Sequence, residues 1–169
     1  MIAGSLVTLR ERRPGDAPYA RAWFDDPDVA RWTLRTYPAA ADAYDVPAEP
    51  LAWGLVPLTV VADGRPIGHC GLGDMSAEHR RALLWMVIGD AAYRGRGYGT
   101  DATRTLCRWA FDTVNLAKVE LEVVADNTRA LAMYERLGFV REVHRRRALW
   151  VDGAWRDEYL MGVFPEELR

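Results

Sequence analysis

Hydrophobic positions in this 169-residue chain follow a two-residue period in some stretches and a helical period in others. From Ser5 to Glu11, Leu6, Thr8 and Arg10 alternate with Val7, Leu9 and Glu11, which predicts a short strand closed by Arg13-Pro14-Gly15. Asp16 to Phe24 predicts a first helix with Asp16 as its N-cap, and Asp28 to Leu34 a second after Pro27, with Asp25, Asp26 and Asp28 read as a cap and a solvated turn or as an ammonium site. Leu58–Ala62 and Ile67–Gly73 read as strands joined at Asp63-Gly64, a dipeptide that favours a two-residue hairpin turn. The apolar run Ala82 to Ile88 reads as a buried strand, and an amphipathic helix reaches Asp112. Lys118–Val124 follows as a strand and Asn127–Leu137 as a helix ending at Gly138, a fitting C′ residue. Phe139–Arg147 and Arg156–Val163 form a last hairpin around Asp152-Gly153. Strands that begin antiparallel and then alternate with helices predict a mixed sheet covered by helices, an α/β (α+β) fold within one domain over residues 1–169.

Composition narrows the partners. A net charge of −2 and a pI near 5.9 give no basic footprint for nucleic acid. No run of about 18 apolar residues and no basic-then-apolar start occurs, so no membrane segment is expected and the expected location is cytoplasmic. Cys70 and Cys107 lack metal-site spacing and read as reduced core residues, and no metal is expected. His69, alone in an apolar run, reads first as a hydrogen-bonded structural group. Tyr37 to Pro57 lacks periodicity and mixes Tyr37, Tyr44 and Trp53 with Asp42, Asp45 and Glu49. A connection that long inside a compact domain is functional or mobile. Arg141 and Arg145 to Arg147 form a basic cluster, read as solvated strand ends or as a seat for an acidic acceptor group.

Between the strand ending at Ile88 and the helix lies Arg94-Gly95-Arg96-Gly97-Tyr98-Gly99-Thr100. Glycines let successive amide N–H groups converge, and the helix start adds its positive dipole end, so an anion is held by main chain alone. Arg94, Arg96 and Arg104 are expected to surround it. A P-loop would require a lysine after Gly99, and a dinucleotide fingerprint would require glycine where Thr100 stands.

Arg94 to Gly99 resembles the R/Q-x-x-G-x-G/A motif of the GNAT superfamily of N-acyltransferases, and Asn127 to Phe139 resembles that family's second cofactor segment. With the segments Leu6–Glu11 and Phe24–Trp32, the likeness covers nearly the whole chain and points to the branch that includes ribosomal-protein alanine N-acetyltransferases. It implies a mostly antiparallel sheet of about six to seven strands with a splayed central parallel pair and about four flanking helices. It also implies acetyl-CoA as co-substrate, transfer of its acetyl group to a small-molecule amine or a protein or peptide N-terminus, and an acceptor surface at Tyr37 to Pro57. The alternative is a non-catalytic acyl-CoA-binding or interaction domain that retains the fold. The oligomeric state is left open, with the final hairpin as the candidate contact for a homodimer.

The resemblance places the cofactor diphosphate on Arg94, Gly95, Arg96, Gly97, Tyr98, Gly99 and Thr100, and its pantetheine arm along Met86 and Ile88. Amides near Met86 and Val87 would meet the carbonyl oxygen. Asn127 and Tyr134, seven residues apart on one helix side, would hold the arm and protonate its sulfur; spacing alone also allows Asn127 as a cap and Tyr134 as core. Glu122 matches a base glutamate of some ribosomal alanine acetyltransferases, and a raised pKa is expected if it faces a dry cleft; alternation with Glu120 equally allows an exposed carboxylate pair.

Overall fold

The structure is a computed structural model and describes residues 1–33 and 54–169. Most of the Tyr37 to Pro57 stretch, including Tyr37, Asp42, Tyr44, Asp45, Glu49 and Trp53, lies outside the described residues. The strands are β1 (Ile2–Ala3), β2 (Thr8–Glu11), β3 (Val56–Ala62), β4 (Arg65–Ser76), β5 (Arg81–Ile88), β6 (Lys118–Val124), β7 (Val140–Val151) and β8 (Ala154–Val163). The helices are α1 (Ala17–Phe24), α2 (Pro27–Trp32), α3 (Tyr98–Asp112) and α4 (Thr128–Arg136). One eight-stranded sheet runs β1-β2-β3-β4-β5-β6-β8-β7, antiparallel throughout except for β5 and β6.

Local chemistry explains most boundaries. Asp63-Gly64 and Asp152-Gly153 both carry positive φ at each residue, the turn whose twist matches that of the strands it joins. On α3, Ala102, Leu106, Cys107, Ala110 and Phe111 are buried at helical spacing. They pack into one core with Leu72 and Leu84 of the central strands, Val119 and Leu121 of β6, and Met161 of β8. Burying a side chain such as Leu106 contributes about 1.5–3 kcal/mol before its ordering entropy is counted.

Several expectations change. The N-terminal strand begins at Thr8 rather than Ser5, because the amides of Ser5, Leu6 and Val7 all donate to the Asp101 carboxylate at the start of α3. Asp16 stands at the N-cap position of α1 as expected, but its side chain makes no capping bond to that helix: it is buried, paired with Arg10 at 2.8 Å, and accepts from the Thr59 hydroxyl and the Arg13 amide. Asp26 caps α2 by accepting from the Asp28 amide. The sheet gains β1, β3 takes in Pro57, and β7 runs on to Val151 past a register shift where Arg147 has positive φ. Among the described residues, no helix is long and apolar enough to cross a membrane.

Candidate active site

The site starts with a pair of strands that part. β5 and β6 run parallel, and their ladder holds only Arg81 with Lys118, Ala82 with Val119 and Leu83 with Glu120. β5 continues for five residues and β6 for four without pairing each other. Main-chain direction alternates along β5. The carbonyl of Arg80, just before the strand, accepts from Ala117 and Lys118 on the β6 side, whereas that of Val87 lies against Gly68 of β4. Alternation therefore turns the polar groups of Leu84, Met86 and Ile88 into the gap. The gap is an unpaired strand edge inside the protein, a surface that another extended group can complete.

The glycine-rich turn closes one end of this gap. Gly95 and Gly97 have φ of 75° and 90°, where a side chain is strained, and Gly97 is the N-cap residue of α3. Among the described residues, no protein oxygen accepts from the amides of Gly95, Arg96, Gly97, Tyr98, Gly99 or Thr100. Those N–H groups and the helix dipole make an anion seat built from main chain.

The arginines are arranged differently from the expectation. Arg94 donates Nε to the Ile88 carbonyl at 3.0 Å and Nη2 to the Gly89 carbonyl and to Asp26 at 2.7 Å, so it ties the turn to the end of β5 and the cap of α2. Arg96 donates to the Ala92 carbonyl and lies over the Tyr98 ring, and Arg104 donates to the carbonyl of Arg169. The cation beside the turn is Arg129 of α4, whose guanidinium is 3.1 Å from where a Cβ on Gly95 would stand. Sequence reading missed Arg129; its place on one helical stripe with Met133 and Arg136, which also line the cleft, could have marked it.

A cleft of about 990 Å³ joins these parts. Asn127 and Tyr134 line one wall, and β5 from Leu83 to Ile88, Val87 included, lines the other. Asn127 also caps α4, accepting from the Ala130 amide, so both roles read for it coexist geometrically. Tyr134 is buried against Phe139, with ring centroids 5.5 Å apart, and burial next to Cys107 pushes its phenol well above the usual tyrosine range. His69 is buried, with Nδ1 2.9 Å from Arg12 and its ring edge-on to Trp23, and it borders the cleft. Asp28, Trp32 and Trp85 line the same cleft.

Glu120 and Glu122 lead separate lives. Glu120 is buried between Arg81 and Lys118, which outweigh its desolvation and lower its pKa. Glu122 lines the cleft and is paired with Arg145 of β7. The carboxyl with a raised pKa is Glu158 of β8: burial, then the charge of Glu122, lift it against the opposing pull of Arg145, 3.2 Å away. Sequence reading missed Glu158. Its register partners, Val124 and Arg145, lie on the two strands that flank β8, and the register shift in the β7–β8 hairpin hides the second pairing from a reading of the turn alone.

A family model for the acetyltransferase (GNAT) domain matches residues 7–140. Over 152 residues the chain is 28% identical to the spermidine N(1)-acetyltransferase of Escherichia coli (strain K12), covering 90% of this chain and 77% of that one. It is 46% identical over 99 residues to the N-alpha-acetyltransferase RimI of Mycobacterium tuberculosis, covering 58% of this chain and 59% of that protein. The fold superposes on Mycobacterium smegmatis RimJ in complex with CoA-disulfide at a TM-score of 0.87 and 26% identity, covering 99% and 88% of the two chains. An anion seat of bare amides beside parted parallel strands is thus found in a chain whose sequence matches that family over most of its length, and the protein belongs to the GNAT acetyltransferases.

Proposed function

We propose that the cleft transfers the acetyl group of acetyl-CoA directly to a primary amine, a small-molecule amine or a protein or peptide N-terminus, with both substrates bound together. Support comes first from one observation: the unengaged amides of Gly95 to Thr100, the open edge of β5 and Tyr134 share a single cleft. In this reading Gly95, Arg96, Gly97, Tyr98, Gly99 and Thr100 hold the diphosphate with Arg129 beside them, and Arg94 shapes the turn rather than touching the ligand. Met86, Ile88 and Asn127 hold the pantetheine arm, which supplies the acetyl thioester. The Met86 amide, turned into the gap, faces the carbonyl oxygen where negative charge develops.

Two protons leave the amine nitrogen during the reaction. Glu122, in the cleft wall and partly exposed, takes the ammonium proton and returns it to water. The second is balanced by protonation of the departing thiolate. Burial keeps Tyr134 protonated, so it presents an O–H donor there. Carboxylates at Asp28, Glu122 and Glu158 among the rings of Phe24, Trp32 and Trp85 suit an ammonium-bearing acceptor through ionic and cation–π contacts. The buried, unbridged Cys70 and Cys107 suit a reducing cytoplasm. The 12-residue edge strand β7, with Val140, Val143 and Trp150 exposed, is the face for a second copy of the chain, which sedimentation velocity tests.

The experiment is a screen of amines with acetyl-CoA, spermidine and an alanine-initiated peptide among them, following free thiol with mass spectrometry of the product. Acetylated amine is the expected result. A rise in melting temperature with CoA but no turnover of any amine would leave only the acyl-CoA-binding alternative.

A further inference from the structure

Building on the reading of the Gly95 to Thr100 amides as the cofactor seat, we propose that Asp26 is a positioning residue that acts through Arg94 to hold that seat and helix α2, on opposite sides of the cleft, in one fixed relation. One carboxylate serves both sides. Its Oδ1 accepts from the Asp28 amide at 3.0 Å and so starts α2, and its Oδ2 accepts from Arg94 Nη2 at 2.7 Å. Arg94 in turn donates to the Ile88 and Gly89 carbonyls at the end of β5, and its own main chain leads into the glycine-rich turn. Asp28, Val29 and Trp32 of α2 border the same cleft as Gly95 and Gly97. The carboxylate therefore stands where the two meet.

The frame around the pair gives it direction. The Asp26 amide donates to the Trp23 carbonyl at the end of α1, and the Asp26 carbonyl accepts from the Ala30 amide of α2 at 2.9 Å, so main chain from both helices fixes the residue. Trp23 lies on the backbone of Gly89, where an added Cβ would stand 2.2 Å from the indole Cγ. The pair is half-buried, and the bond to Arg94, then that to the Asp28 amide, lower the Asp26 pKa, so both partners are charged near neutral pH. A charge-assisted bond to a planar guanidinium sets angle as well as distance. A seat built from amides holds an anion only while its N–H groups converge, so a turn released from this tie has to be ordered by the ligand, and that ordering subtracts from affinity.

The test is isothermal titration of CoA into wild type, Asp26→Asn, Asp26→Ser, Arg94→Gln and the double variant Asp26→Asn/Arg94→Gln, with amide hydrogen exchange of α2 measured with and without CoA. Asn and Ser cap a helix as Asp does, so α2 keeps its start in both single variants while the charged bond to Arg94 is lost. The Kd for CoA should rise about 3–10-fold in each of them. The double variant should bind no more weakly than Arg94→Gln, because Asp26 has nothing left to position. In wild type CoA should slow exchange in α2, and in Asp26→Asn that protection should disappear. A purely structural role would speed exchange equally with and without CoA and leave Kd where it was. An unchanged Kd in the folded Asp26 variants, additive losses in the double variant, or protection of α2 that survives in Asp26→Asn overturns the proposal and leaves acetyl transfer standing. Wild type that binds no CoA removes the seat on which it rests.

Discussion

The two ends of the β5–β6 pair use the same kinds of side chain for different purposes. At the closed end the strands are bonded together, and Arg81 and Lys118 face Glu120 and Glu142, two cations for two carboxylates. At the open end, two residues further along β6, Glu122 and Glu158 share Arg145 alone. Balanced charge lies where the strands are held together, whereas the charge at the cleft wall is not balanced by the pairs formed there. The main chain repeats the contrast. At the closed end its polar groups satisfy one another, and past Leu83 those of Leu84, Met86 and Ile88 on β5 turn into the gap. The comparison predicts that substitutions at the closed end cost stability and those at the open end cost turnover.

The largest expected effect is at the open end. Tyr134→Phe removes one oxygen and keeps the ring against Phe139, so the fold is retained while the proposed donor to the leaving thiolate is lost. A fall in kcat of about 10²–10³-fold is expected, with little change in melting temperature. Wild-type turnover in this variant would assign Tyr134 to the core.

The mirror experiment is Glu120→Ala. It leaves Arg81 exposed to solvent and Lys118 with Glu142, and removes a buried carboxylate from two cations. Chemical denaturation should show a loss of about 2–3 kcal/mol, with KM for acetyl-CoA unchanged. A turnover defect larger than the stability loss explains would erase the distinction between the two ends.

Much of this contrast was legible in the residues. The turn at Arg94–Gly99, its helix and both Asp-Gly hairpins follow from local spacing, because each depends on neighbours within two helical turns, whereas the placing of Asn127 and Tyr134 on the cleft came from the family resemblance, spacing alone allowing a cap and a core residue. What was hidden depends on register across the sheet. Arg94 reads as a phosphate cation in the sequence, and only the approach of Asp26 and the end of β5 engages its guanidinium. Glu120 and Glu122 alternate identically, and only the parting of the strands between them separates a structural ion pair from a cleft carboxylate. Glu158 and Arg145 come together from different strands, so no linear spacing marks them.

Asp16 extends the comparison to a balanced charge pair elsewhere in the sheet, on β2 and β3. Burial opposes its ionisation, but the Arg10 ion pair, the Thr59 hydroxyl and the Arg13 amide prevail and hold its pKa at about 2. A carboxyl depressed in the folded state stabilises above its unfolded pKa, about 3.9, and loses that contribution as pH falls toward about 2. Wild type should thus lose up to about 2 kcal/mol more than Asp16→Asn across that window, in urea melts at stepped pH. The variant is less stable at pH 7. Parallel acid dependence in the two proteins would show that this pair contributes nothing specific.

The smallest effect concerns Arg129, the cation beside the anion seat. Main-chain amides and the helix dipole supply most of the hold in this reading, and Arg129 adds a solvent-screened charge at one rim. Arg129→Gln should weaken CoA binding by about 3–10-fold at low salt, with the difference from wild type shrinking as ionic strength rises. Isothermal titration with CoA and with dephospho-CoA locates the contact. Equal losses for both ligands place Arg129 at the diphosphate, and a loss confined to CoA places it at the 3′-phosphate. An unchanged Kd for both would leave the anion to the backbone alone, which makes the contrast between the two ends of the strand pair sharper: stability there depends on paired side chains, and ligand binding on main-chain groups left free.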